Sequence, residues 1–393
     1  MFIDFSFNCP LSILNCQLFW KEVLHLQDKQ PSSREDFSAV GRKESNLTVF
    51  WRYFKRHKIA LVSAVVIITL YLLVIFAGFL GPYRPNQTFK EHFFHPPTKI
   101  HLLDEGGLTL PYVYQTKKVG WGEFKELKTD KYPLKFFYQG PEYKFWGLIP
   151  TQLHLVGVEK PAHLFLLGTD NYGRDLLTRL LYGGRVSMFL GFAGIIITSC
   201  AGLLVGGIAG YYGGWIDNLL MRGVEVILSI PSFYLLLALA AVLPVEMSST
   251  LRFFLIIIIL SFIGWAGMAR VIRGMVLSIK EEDYITAAKA IGANDFRIIV
   301  KHILPRTSTY VIVRATLAIP GYIIMESALS FIGLGIQQPE ASWGNMLSAA
   351  QSVTKMTSFP WLLMPGVLIF VVVLSFNLLG DGLRDALDPK ARL

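Results

Sequence analysis

Three places in this 393-residue chain gather the residue types that chemistry uses. In LLGTDNYGRD, Gly168 and Gly173 bracket four residues in the manner of a phosphate-cradling loop. Such a loop continues with Lys and then Ser or Thr, whereas Arg174 and Asp175 follow here, so nucleotide binding is excluded at this place. Glu326 is an acid in the middle of a long apolar run. A charge there costs about 2.5–3.5 kcal/mol on insertion scales. It must therefore line a polar pathway or accept a structural hydrogen bond from a neighbouring helix, and both readings stand. The third place, EEDYITAAKAIGANDFRIIVKHILPRT (281–307), carries no nucleophile–base or metal-ligand pattern but two short apolar faces between charges. Its chemistry is docking. Zinc hydrolysis would call for H-E-x-x-H, which does not occur; the eight histidines lie mainly in the N-terminal tail and in the segment 82–185, and His302 stands among basic residues.

These residues have to be positioned by a structure made for lipid. Hydrophobic residues make up 53% and charged residues 17%, against about 25% charged in soluble domains. Six apolar runs approach the roughly 20 residues that a helix needs to cross a bilayer: Ile59–Leu80, Ser187–Gly210, Gly223–Leu243, Arg252–Ala269, Tyr310–Ile336 and Pro360–Leu379. The expected fold is an all-α polytopic membrane protein with a small β-containing external insertion. The net charge of +9 reads as topology and not as a nucleic-acid surface, because Lys and Arg collect on the cytoplasmic side. Arg52, Lys55, Arg56 and Lys58 precede the first run. Arg270, Arg273, Lys280, Lys289, Arg297, Lys301 and Arg306 surround the docking stretch, and Arg384, Lys390 and Arg392 end the chain. Short loops on the other side hold chiefly Arg252 and Lys355. Both termini and the stretch 281–307 are thus expected in the cytoplasm.

The organisation expected is a cytoplasmic tail over 1–50, poorly ordered or translated from an upstream start, then a first span within 51–81. Asp4 and the lack of a small-residue cleavage site argue against a signal peptide there. An external segment over 82–185 follows, too long for a plain loop. Its aromatic, Gly/Pro-broken middle predicts short strands. Tyr138, Tyr143, Phe145 and Trp146 form either a ligand surface or, more commonly, the core of a small domain or a membrane-interface contact. Leu176, Leu177, Leu180 and Leu181 predict an amphipathic helix lying on the outer surface. Residues 186–380 make a five-helix core that includes a cytoplasmic loop at 271–309, and 381–393 form a tail. Gly202, Gly206 and Gly210 predict close helix packing. Pro231, Pro320 and Pro365 are expected to interrupt the third, fifth and sixth spans. Cys9, Cys16 and Cys200 make no disulfide framework.

Within the docking stretch, Tyr284, Ala287, Ala288 and Ile291 share a helical face, and Gly292 suits a left-handed C-cap. Asn294 or Asp295 is a natural N-cap for a second helix with Phe296, Ile299, Val300 and Ile303 on its face, and Pro305 is expected to stop it. Ala287-Ala288, three residues, Gly292, eleven residues and Leu304-Pro305 resemble the EAA loop of ABC-importer permeases. Thr286 and His302 depart from the general pattern in a way similar to the oligopeptide/dipeptide branch. LLGTDNYGRDLLTRLLYGGR (166–185), ESALSFIGLG (326–335) and FNLLGDGLRDALDP (376–389) resemble that branch too. The likeness covers roughly 50–90 and 160–393. It implies the second of two unlike permease subunits of an importer, with no cofactor and no catalysis of its own. Ala287, Ala288, Gly292, Asn294, Asp295, Phe296, Ile299, Leu304 and Pro305 would form the coupling helix that docks on an ATPase, and Glu326 is the candidate for lining the pathway. Implied partners are a second permease, two cytoplasmic ATP-binding subunits, an external substrate-binding protein and the bilayer of a bacterial or archaeal plasma membrane. Peptides are the implied cargo, with nickel or oligosaccharides as alternatives. An ion-coupled transporter would be expected to show internal repeats, and none is visible between the halves.

Overall fold

Eighteen residues, KIALVSAVVIITLYLLVI, carry no charge after the first and form the helix Lys58–Ile75. In lipid a backbone must satisfy its own hydrogen bonds, so a run this apolar has the helix as its stable form. The computed structural model describes residues 46–387 except 105–106, 146 and 245. The tail before residue 46, the side chain of Trp146, and Lys390 and Arg392 lie outside the described residues. Residues 50–393 make one compact unit, and the preceding unit is described only at the start of the helix Asn46–Arg56.

In chain order, the helices are α1 (Asn46–Arg56), α2 (Lys58–Ile75) and α3 (Ala77–Leu80) before the strands. After them come α4 (Leu176–Tyr212), α5 (Gly214–Ser229), α6 (Ser232–Ala241), α7 (Ser249–Ile279), α8 (Asp283–Ala290), α9 (Asp295–Arg297) and α10 (Ser308–Phe331). Short α11 (Trp343–Leu347) and α12 (Val353–Ser358) precede α13 (Met364–Leu387). Among the described residues, five helices are long and apolar enough to cross a membrane, and the pair α5 and α6 makes a sixth span if counted as one. That pair is bent by 84°. Ile230, before Pro231, is extended (φ −94°, ψ 129°), as a residue preceding proline prefers, so the third span is broken as expected. The other two prolines behave differently. Pro320 lies inside a helix that runs on to Phe331, and Pro365 follows closely on the 3-10 turn Pro360–Leu363 within the continuous helical stretch Pro360–Leu387.

The packing of α4 on α7 is set by glycines. A Cβ on Gly206 would lie 2.5 Å from the Ala269 carbonyl oxygen, and one on Gly210 would lie 2.8 Å from that of Arg273. The two backbones touch, as the small-residue spacing predicts. A salt bridge from Arg273 to Asp217 (2.5 Å from both Nε and Nη2) secures α5 to the end of the same pair.

The segment between α3 and α4 holds a three-stranded antiparallel sheet, β1 (His101–Asp104), β2 (Gly107–Lys118) and β3 (Phe124–Pro133), and a hairpin, β4 (Lys135–Phe145) and β5 (Ile149–Gly157). Val113, Val156, Val158, Ala162 and Leu164 form its core. The amphipathic surface helix expected over 176–185 is instead the first part of the unbroken α4. Arg174 and Thr178, on the polar side of that pattern, are as buried as Leu176 and Leu180, and so is Arg179. Most of their polarity is satisfied internally, although Arg179 Nε has no hydrogen-bond partner and lies 3.5 Å from Asp170 Oδ2. Arg179 donates to the carbonyls of Pro85 and Pro339, and Arg174 and Arg179 both donate to Gln338 Oε1. Arg174 also pairs with Asp170 at 2.7 Å. GTDNYGRD is therefore a polar knot joining the loop after the first span to the loop after the fifth.

Asp175 caps α4, with Oδ2 accepting from the Thr178 N–H (2.8 Å) and hydroxyl (2.6 Å). Burial raises its carboxyl to about 7. A raised carboxyl pKa favours the fold while the group is protonated, and the advantage is lost as pH rises through about 7. Thermal unfolding in detergent should thus show stability falling as pH rises from the ordinary aspartate value of 3.8 to about 7 and levelling off above it, a slope that Asp175→Asn, an equally good cap, abolishes. A pH profile unaltered by the substitution would assign the effect elsewhere. Gly206→Val should unfold well below the unsubstituted protein, because two backbones would have to part; overpacking of this kind costs about 1–3 kcal/mol or more.

Candidate functional site

The polar stretch folds from its caps. The C-terminus of α8 closes with the Gly292 N–H on the Lys289 carbonyl (3.0 Å) and the Ala293 N–H on the Ala288 carbonyl (3.1 Å). This is a Schellman closure, and Gly292 takes φ +83°. A side chain there is strained even though the space around it is open. Asn294 Oδ1 then accepts from the Arg297 N–H at 2.8 Å and starts the second helix.

Pro305 does not stop that helix. After α9 the chain widens into a π-helical segment, Ile298–Ile303, tightens into a 3-10 turn, Leu304–Thr307, and passes without a break into α10. The change of hydrogen-bond register around the proline accommodates its missing N–H. Asp295–Phe331 is thus one continuous helix of 37 residues, about 55 Å long at 1.5 Å per residue.

The apolar faces predicted from the sequence divide. Ile285, Ala288, Ile298, Ile299 and Ile303 are buried against Tyr211, Met268, Ile272, Val276 and Ile279, with Leu304 packed at the edge. The chain's own second and fourth spans cover this half. The other half stays open. Ile291 is 86% exposed and Phe296 75%, and Ala287, Gly292, Asn294, Asp295, Val300 and Pro305 are exposed around them. Of the nine candidate coupling residues, then, Ala288, Ile299 and Leu304 face inward and the others outward.

Sequence reasoning missed Tyr211 and Arg306. The Tyr211 hydroxyl donates to Asp295 Oδ1 at 2.6 Å, and Arg306 sits over the Tyr284 ring (5.1 Å) and 3.6 Å from Glu282. Tyr211 carries no sequence signal, since an aromatic residue at a span end is ordinary. Arg306 was counted only as a topology charge.

Glu326 is fully enclosed. Its carboxylate accepts from the hydroxyls of Ser187 (2.8 Å) and Ser330 (2.7 Å). Of its two readings, the geometry is that of the structural hydrogen bond between the second and fifth spans, and not that of a pathway wall. One turn of α10 away, Tyr322 and Met325 face a cavity of about 380 Å³ with Thr198, Ser232, Gly264 and Arg314. It lies where the break between α5 and α6 meets α7 and α10.

Gly292→Ala should loosen the stretch without harming the spans. A left-handed backbone conformation costs a non-glycine residue about 1–2 kcal/mol, so amide exchange over 283–303 should quicken roughly five- to thirty-fold. Unchanged exchange there would show that the cap does not hold the two helices.

Comparison with known proteins bears on this architecture. Residues 202–393 match the family described as binding-protein-dependent transport system inner membrane component. Residues 45–97 match the N-terminal TM domain of oligopeptide transport permease C. The dipeptide transport system permease protein DppC of Bacillus subtilis (strain 168) is 44% identical over 227 residues, 57% of this chain and 68% of that protein. The oligopeptide transport system permease protein OppC of Haemophilus influenzae is 40% identical over 258 residues, 65% of this chain and 78% of that protein. OppC of Bacillus subtilis is 39% identical over 243 residues, 61% and 76% of the two chains. Identity at this level, over most of each relative and joined to this arrangement of spans, means that the chain belongs to the oligopeptide/dipeptide family of ABC-importer permeases, multi-pass proteins of the inner membrane.

Proposed function

We propose that this permease carries peptides inward and is driven through the open patch around Ile291 and Phe296. The observation that carries the reading is the position of Phe296. It is a large exposed aromatic residue on the first turn of a helix that continues unbroken into the fifth span. An exposed apolar patch rimmed by charge suits a protein partner. Ala287, Gly292 and Asn294 leave the surroundings of Ile291 and Phe296 low, so a groove on a partner can close over them. The sequence has no G-x-x-x-x-G-K-[ST]; the permease binds no nucleotide of its own by that motif, and the partner at the patch is one of two cytoplasmic ATP-binding subunits. The patch and both termini then face the cytoplasm. A second permease completes the route, and an external binding protein delivers the cargo.

The cavity beside Tyr322 is this chain's half of the route. Its walls are apolar apart from Thr198, Ser232, Arg314 and the Tyr322 hydroxyl, which itself meets Thr198 Oγ1 at 2.5 Å. Arg314 is exposed, with no ion-pair partner among the described residues. Apolar walls accept varied side chains, and a guanidinium accepts a carboxylate in bidentate fashion. That combination fits a peptide with a free C-terminus.

Two tests follow. Phe296→Ala should insert normally in the membrane but lose the co-purifying ATPase and ATP-dependent uptake, since truncating a central interface aromatic costs about 2 kcal/mol or more. Full uptake with the ATPase still bound would remove the patch from the mechanism. Arg314→Gln should slow uptake of free peptides by about tenfold, a charge-assisted bond being worth about 1.5–3 kcal/mol, while leaving amidated peptides less affected. Equal slowing of both would mean that Arg314 does not read the carboxylate.

A further inference from the structure

The hairpin β4–β5 ends in a turn of unusual composition. Its tip reads KFWGLIP from Lys144 to Pro150, with no polar side chain after Lys144. Turns that face water are rich in Asn, Asp, Ser, Gly and Pro. Here Gly147 supplies the positive φ (+73°), but Leu148 is 82% and Ile149 63% exposed. Side chains so apolar at the end of a hairpin need a covering.

The position of the tip identifies the covering. Rings of the hairpin meet the end of the first span, Phe145 against Phe76 (5.8 Å between centroids) and Phe137 against Phe79 (6.3 Å). Between hairpin and helix runs an apolar groove of about 710 Å³ lined by Thr69, Leu72, Phe76, Tyr143, Phe145 and Ile149 among others. The level of this groove relative to the bilayer follows from two observations. Lys58 to Thr69 is only about 17 Å of helix, whereas the hydrocarbon core is about 30 Å thick; Thr69 therefore lies at acyl-chain depth. Arg185 donates to the carbonyls of Val74 (2.9 Å) and Ile75 (3.0 Å), which puts a guanidinium at the end of α2. The groove reaches from that polar level down to Thr69, about 9 Å deeper. Leu72, Leu73 and Phe76, exposed along this side of α2, continue the lipid-facing surface of the span into the groove.

The geometry points to a membrane-inserted hairpin: the tip at Leu148 and Ile149 enters the leaflet on the side of the sheets, and a lipid acyl chain fills the groove between the hairpin and α2. The insertion is then an anchor that holds the external sheets against the bilayer. This inference needs only that α2 crosses the membrane; it is independent of cargo and of the ATPase.

Site-directed spin labelling tests it. Leu148→Cys is introduced into the full chain with Cys9, Cys16 and Cys200 replaced by Ser, labelled with a nitroxide and placed in vesicles of phosphatidylethanolamine and phosphatidylglycerol. Collision with oxygen, which concentrates in acyl chains, is compared with collision with a water-soluble nickel chelate. The expected result is high oxygen and low nickel accessibility at position 148, with the reverse at a label on Leu110→Cys, an exposed position of β2. Nickel accessibility at 148 equal to that at 110 would place the tip in water and overturn the proposal. Low accessibility to both reagents would mean that protein covers the tip, which overturns it equally. Ile149→Cys gives the same reading from the neighbouring position should the first variant express poorly.

Discussion

The contact of two bare backbones, α4 against α7, is the constraint from which the rest of the architecture follows. Lipid offers no hydrophobic drive for one helix to join another, so association rests on close van der Waals approach. At Gly202, Gly206 and Gly210 that approach leaves no room for a methyl group. The pair forms a fixed strut. At one end it presents Tyr211, Met268, Ile272 and Val276, the surface on which α8 and the π-helical segment rest. At the other end α4 begins in the knot of Asp170, Arg174, Arg179 and Gln338, which gathers three external loops. The exposed patch around Phe296 and the polar knot beside the sheets are both mounted on the same two helices.

Polar groups inside this frame are placed by the demand for partners. Glu326, Ser187 and Ser330 satisfy one another between α4 and α10, and the Trp343 N–H completes Ser187 at 3.2 Å. An isolated acid at that depth would be costly. Held by hydroxyls of two spans, it ties the fifth span to the strut near its outer half. The same helix is tied at its other end by Tyr211 and Asp295.

Much of this was legible in the sequence because lipid imposes a simple rule. Apolar runs of the right length gave the spans, glycines at four-residue spacing gave the tightest contact, and Gly292 and Asn294 marked the caps where the structure has them. The failures share a cause. Pro305, Pro320 and Pro365 were read as breaks because proline forbids one hydrogen bond, but at Pro305 a register change absorbs that loss locally, and the helix continues through all three. Leu176 to Leu181 were read as a surface stripe because Arg174, Thr178 and Arg185 opposite them are polar; the partners of these, Gln338, Asp175 and the Val74 carbonyl, are fixed by the fold and not by spacing. Glu326 left two readings open for the same reason, since only the fold brings Ser187 to it across 139 residues of sequence.

The unbroken passage from Asp295 to Phe331 has a mechanical meaning. With no hinge loop between the patch and the span, the helix behaves as a lever arm. Glu326 lies 31 residues, about 46 Å, from Asp295; a tilt of roughly 10° about it would displace the Asp295 end by about 8 Å and Arg314, about 18 Å from the pivot, by about 3 Å. On the proposed coupling, a push at Phe296 pivoted at the Glu326 tie would reach Arg314 and Tyr322 as displacement, with no loop between them to absorb it. The segment Ile298–Ile303, wound more loosely than the rest, is the one compliant length of the arm. It sets how much of the stroke reaches the cavity.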